Sequence, residues 1–142
     1  MSWAISSREE VPAAPKAPRH NGRIDSIEVS LKSDIICSNI NRVAILYLLK
    51  DSPRKEMQAE KIAQSLRVSH RTALYHLDVL ENYELVQVKA FRKKGQKMLR
   101  SVWGLNNENT QTDKIFKCIG KKFPEGEIGR MIRSGSLQKA AR

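Results

Sequence analysis

From about Asn39 to Asp51 the apolar residues Ile40, Val43, Ala44, Leu46, Tyr47 and Leu48 recur at helical spacing, with Ser38 placed to cap and Pro53 just beyond the end. The spacing predicts a buried helix. Two more helices are expected, near Gln58 to Leu66 and Ser69 to Tyr83, around a tight turn at Val68-Ser69. In the later one Ala73, Leu77 and Leu80 lie four and three residues apart, so they share a face that can pack on a core, and Arg71 and Tyr75 point the other way. The periodicity then changes to strand-like runs, Leu85 to Phe91 and Lys97 to Trp103. Between them Arg92-Lys-Lys-Gly-Gln96 offers Gly95 for positive φ, which makes a hairpin the natural connection.

Helix, helix, helix, hairpin is the order of a winged helix-turn-helix, an α+β, mainly helical fold with a three-helix core and a β-hairpin wing. The flanks are patterned less clearly. Residues 1–32 are expected to form a flexible N-terminal arm, because Val11-Pro-Ala-Ala-Pro-Lys-Ala-Pro-Arg19 has few large apolar side chains to repay ordering. Within it Ile24 to Leu31 alternates imperfectly, which allows a short strand or the lead-in to a helix. The core domain is expected over 33–105, followed over 106–142 by a polar linker, a short helix from about Thr112 to Lys121 that could serve dimerisation, and a basic tail. Gly129 and Gly135 suggest that this tail is mobile, although Ile128, Met131 and Ile132 could form a short docking helix.

Charge points to the partner. The 142 residues carry 26 Lys and Arg against 15 Asp and Glu, a net charge of +11, which favours a polyanion: DNA, RNA or an anionic membrane surface. Residues 54–104 hold eleven basic and five acidic groups, whereas residues 1–53 hold seven and six. The predicted hairpin contributes Lys89, Arg92, Lys93, Lys94, Lys97 and Arg100 without one acid, so it can lie along phosphates or enter a minor groove. The longest apolar run, Val43 to Leu49, is far short of the ~20 residues of a membrane span, and a cytoplasmic protein without membrane association is expected. Cys37 and Cys118 are isolated thiols, read as reduced structural cysteines with redox sensing as the alternative; no metal site and no cofactor are implied.

Ser69, His70, Arg71, Thr72 and Tyr75 occupy the first two turns of the third helix outside its apolar stripe. They are the candidate groove contacts, with Arg92, Lys93, Lys94 and Lys97 on the hairpin. His76 flanks Leu77 on the core side and reads as a packed, hydrogen-bonded histidine before it reads as a base contact. Tyr47 and Trp103 are expected in the core. No enzyme is expected: His20, His70 and His76 lie in an arm and a helix, and no Gly-rich phosphate loop, nucleophile elbow or spaced carboxylate pair is evident. The expected function is sequence-specific binding of double-stranded DNA by a transcriptional regulator. A sequence-tolerant nucleic-acid binder, chromatin-like or RNA-associated, is the first alternative, and a winged helix used as a protein-interaction subunit is the second.

Asn41-Arg-Val-Ala-Ile-Leu-Tyr-Leu-Leu49, Glu60-Lys-Ile-Ala-Gln-Ser-Leu66, the run from Ser69 to Leu80 with His76-Leu77, and Leu85-Val86 before a basic hairpin resemble the winged helix-turn-helix of ArsR-type prokaryotic transcriptional regulators. The resemblance covers roughly residues 38 to 105. It implies a homodimer, assembled through the first helix and a C-terminal helix, that binds a dyad-symmetric operator and blocks or recruits polymerase. Ile115, Phe116 and Ile119 would then be interface residues, or else cap the monomer core. The sequence departs from the family at three places. Lys61 to Leu66 lacks the cysteine pair of the metal sensors, so metal sensing through that site is not expected, and the effector stays unassigned. Arg67 and Glu84 stand where the family often has glycine, and a left-handed backbone at either would cost ~1 to 2 kcal/mol.

Overall fold

The computed structural model describes residues 22–90 and 101–140. Helices α1 (Gly22–Cys37) and α2 (Ile40–Asp51) lead through a short 3-10 turn to strand β1 (Glu56–Gln58), followed by α3 (Ala59–Leu66) and α4 (His70–Asn82). Strands β2 (Val86–Ala90) and β3 (Val102–Leu105) come next, then α5 (Thr112–Lys122), α6 (Glu125–Ser134) and α7 (Leu137–Ala140). The sheet order is β1-β3-β2, antiparallel throughout, with Met57 and Val88 both opposite Trp103 on the central strand. This is the winged helix-turn-helix expected from the patterning.

The core gathers on α2. Asn39, rather than Ser38, caps its first turn, accepting from the Asn41 amide at 2.9 Å. Val43, Ala44, Ile45 and Leu49 have no exposed surface, and they meet Ile62, Leu66, Ala73, Leu77, Leu80 and Trp103 in one cluster. Trp103 is wholly buried with its indole N–H on Ser101 Oγ at 2.9 Å, which satisfies the one polar group the ring carries. Tyr47 is buried too, and its hydroxyl donates to the Phe123 carbonyl at 2.7 Å, tying α2 to the junction of α5 and α6.

The ends of the chain depart from the sequence expectation. Residues 22–32, assigned to the arm, are the first eleven residues of α1, whose Val29 and Ile36 are buried. Residues 1–21 lie outside the described residues. Between 106 and 142 the chain is more than linker and tail: α5, α6 and α7 all pack on the core through buried Ile115, Ile119, Ile128 and Leu137. Ile115 and Ile119 cap the monomer core, so they are not available as an interface between protomers. The seam between α1 and α5 is polar at its start: buried Gln111 donates to Asp25 Oδ1 (2.9 Å) and Glu28 Oε1 (2.7 Å) and accepts from Lys32 (2.8 Å), while Lys114 pairs with Asp25.

Both non-glycine turn residues keep the left-handed backbone. Arg67 closes α3 at φ 61° and ψ 44°, and Glu84 follows α4 at φ 63°. Glu84 is held there through its own carbonyl, which accepts from the side-chain amides of Asn106 (3.1 Å) and Asn109 (2.9 Å). Those bonds use the backbone alone, so Glu84→Gly should preserve them and relieve the strain. We expect stabilisation of about 1 kcal/mol, read as a higher urea midpoint; an unchanged or lower midpoint would show that the turn is not strained in solution.

A candidate nucleic-acid interface

The turn between α3 and α4 presents one helix end outward. Arg67 donates its amide back to the α3 carbonyls of Ala63 and Gln64, which ends α3 and redirects the chain. Ser69 then adopts an extended conformation (φ −70°, ψ 159°), and its Oγ accepts from the Thr72 amide at 3.1 Å, starting α4. The Ser69 hydroxyl also lies 3.0 Å from Thr72 Oγ1. The first turn of α4 contains no acidic residue, so its exposed N–H groups and positive dipole end face solvent without a carboxylate to neutralise them.

Of the candidate contacts, Ser69, His70 and Arg71 are exposed, Thr72 is half-buried, and Tyr75 keeps 58% of its surface exposed. Arg71 and Tyr75 sit one turn apart on the side opposite buried Ala73, Leu77 and Leu80. A bidentate donor and an amphipathic ring therefore stand together on the outer side of a capped helix, an arrangement suited to a major groove ~12 Å wide. Arg92, Lys93, Lys94 and Lys97 lie outside the described residues, as does the Gly95 turn. The strands that would carry them, β2 and β3, pair antiparallel as expected of a hairpin, and Lys89 on β2 is exposed.

His76 has a different role. It is 4% exposed, and its Nδ1 accepts from Arg42 Nε at 3.2 Å, so the imidazole proton resides on Nε2. Burial first, and the Arg42 guanidinium second, hold its pKa down to about 4 from an ordinary 6.5. It is a packed, neutral acceptor rather than a base reader. Arg42 was not among the residues picked from sequence. Its Nη1 donates to the Ile35 carbonyl (2.8 Å) and lies 3.2 Å from Ser38 Oγ, and the guanidinium carbon stands 6.0 Å from the Tyr75 ring centroid. The signal for it was a single cation inside the apolar repeat of α2, matched by a single imidazole beside the apolar stripe of α4.

Among the described residues no group of three or more His, Cys, Asp or Glu could hold a metal ion, and no helix is long and apolar enough to cross a membrane. Cys37 and Cys118 are free thiols, and burial pushes the Cys37 thiol above its ordinary range against the opposing pull of Lys122. Residues 39–88, from the cap of α2 into β2, match the model of a family described as bacterial regulatory protein, arsR family. No curated protein and no solved structure matches the chain.

Proposed function

Residues 39–88 carry the arsR-family helix-turn-helix of a DNA-binding transcription regulator, and from that premise we propose that the protein reads a specific duplex sequence as a homodimer. Binding would act by occupancy of a promoter, with no chemistry performed on the DNA. The observation that carries the proposal is the outer face of α4, where exposed Arg71 and Tyr75 flank a capped helix start free of carboxylates. Arg71 would pair with a guanine edge, Tyr75 would contact a neighbouring base, and the helix start with Ser69 and Thr72 would hold a phosphate. The basic hairpin residues Arg92, Lys93, Lys94 and Lys97 would supply phosphate or minor-groove contacts.

The homodimer is supported by α1, which leaves Ile24, Ile27 and Leu31 more than half exposed, three and four residues apart on one helical face. A second copy packed on that stripe would bury it and bring two α4 helices onto one duplex. Two-fold symmetry then requires half-sites about 34–36 Å apart, one turn of DNA.

The test is selection from a random duplex pool at ~150 mM salt, where purely electrostatic binding is much weakened. The expected result is an enriched motif with two inverted half-sites about one helical turn apart. A motif with a single half-site would remove the dimer, recovery without any motif would favour the sequence-tolerant alternative, and no recovery would favour a protein partner. On the selected site, Arg71→Ala should lose at least about tenfold in discrimination between matched and mismatched duplexes, whereas Lys93→Ala should weaken both alike and flatten the salt dependence. Equal loss on every duplex in Arg71→Ala would sink the base-reading role.

A further inference from the structure

One guanidinium touches the end of α1 and both exposed-side and buried-side residues of the second turn of α4. Arg42 Nη1 donates to the Ile35 carbonyl in the last turn of α1 at 2.8 Å and to Ser38 Oγ at 3.2 Å. From the same group, Nε donates to His76 Nδ1 at 3.2 Å. The Tyr75 ring packs edge-on to the His76 ring, with centroids 5.1 Å apart and planes at 64°, and the Arg42 guanidinium carbon lies 6.0 Å from the Tyr75 centroid. Tyr75 is thereby kept upright on the outer face although more than half of it is exposed.

We propose that Arg42 is a positioning residue for DNA reading, coupling the end of α1 to the orientation of Tyr75 and of the first turns of α4. The proposal rests on the DNA-binding function above and adds its regulation: α1 carries the exposed apolar stripe, so a change at that surface reaches the reading face through this side chain. The physical argument is one of geometry. An Arg fork offers rigid, divergent donors, and here they reach a carbonyl, a hydroxyl and an imidazole on three separate stretches of chain. A lysine ammonium at the end of a flexible stem has no such fork. His76 is a fitting acceptor because it is buried against α2 and has no carboxylate on it to compete for the guanidinium: the groups facing it are Arg42 from α2 and Tyr75 from its own helix.

The experiment compares the full chain with Arg42→Gln and Arg42→Lys in two measurements. The first is binding to the selected duplex and to a scrambled duplex at several salt concentrations. Both variants should lose about tenfold in the ratio of the two affinities, with affinity for the scrambled duplex and its salt slope unchanged within twofold. A lost phosphate contact would instead weaken both duplexes and reduce the slope by about one, and a merely structural role would lower the folded fraction without altering the ratio. The second measurement is the His76 titration by NMR in the absence of DNA, where Arg42→Gln should move the His76 pKa upward and Arg42→Lys should move it less. A wild-type protein that discriminates, together with variants that discriminate equally, overturns this proposal alone. An unmoved His76 titration in Arg42→Gln overturns it as well, because the contact would then be absent in solution. A wild-type protein that binds no duplex removes the DNA function and this proposal with it. If Arg42→Gln fails to fold, Arg42→Lys decides: full retention of the affinity ratio would show that charge alone suffices and would overturn the role of the fork.

Discussion

Lowering the pH from 7 to 4 is expected to remove on the order of 3 kcal/mol of stability through His76 alone. The group titrates near 4 when folded and near 6.5 when unfolded, so below 6.5 the unfolded chain takes up a proton that the folded protein excludes. The contribution is complete above pH 6.5, drains as the pH falls, and stops changing below about 4. The cause is physical crowding: the ring is 4% exposed, and its accepting nitrogen already faces a guanidinium, so a second positive charge would be both desolvated and repelled. Urea midpoints of wild type and His76→Gln across pH 4 to 7 check this. The glutamine variant can still accept from Arg42 and should show a shallower slope, the remainder belonging to carboxylates. Identical slopes in the two proteins would mean that His76 titrates normally.

Leu137→Ala is expected to cost about 2 to 4 kcal/mol, as large as a central core truncation, although it lies five residues from the last residue of the chain. Leu137 is 1% exposed, and the residue after it closes a polar account: Gln138 Nε2 donates at 2.8 Å both to Asn41 Oδ1 and to the carbonyl of Leu66. Leu66 is the last residue of α3, where carbonyls lose their helical partners, so α7 caps the helix that precedes the reading turn. Gln138→Ala should therefore lower stability by about 1 to 2 kcal/mol. Equilibrium unfolding in urea measures both. A Leu137→Ala protein with an unaltered midpoint would show that α7 does not dock in solution and would return the tail to the mobile segment that its glycines suggested.

The central fold was legible because α2, α3, α4 and β3 each bury one face and leave another wet, so apolar spacing and burial coincide. The site was legible for the same reason: Arg71 and Tyr75 are polar or amphipathic at positions where Ala73 and Leu77 define the inner side. Helix α1 was not, because it has apolar residues on two sides, Val29 and Ile36 inward and Ile24, Ile27 and Leu31 outward, which blurs the period. Strand β1 is three residues long, and only its pairing with Gly104, Trp103 and Val102 makes it a strand, an interaction some forty-five residues away in sequence. In α6 the glycines Gly126 and Gly129 lower helix propensity, and burial of Ile128 overrides them, while Gly135 at φ 79° is the ordinary left-handed stop. Arg42 escaped notice because its value lies in three partners from distant segments, and spacing within one helix carries no record of them.

The Gln111 cluster gives the joint between α1 and α5 the character of a key in a lock. A seam made only of isoleucines could slide by a turn at small cost, since one branched side chain replaces another. Here a slip of one turn would separate Gln111 from Asp25, Glu28 and Lys32 at once and leave a nearly buried amide without partners. Helix α1 is therefore indexed at its beginning by Gln111 and at its end by Arg42, and a force applied anywhere along its outer stripe would turn it as a rigid lever rather than let it creep.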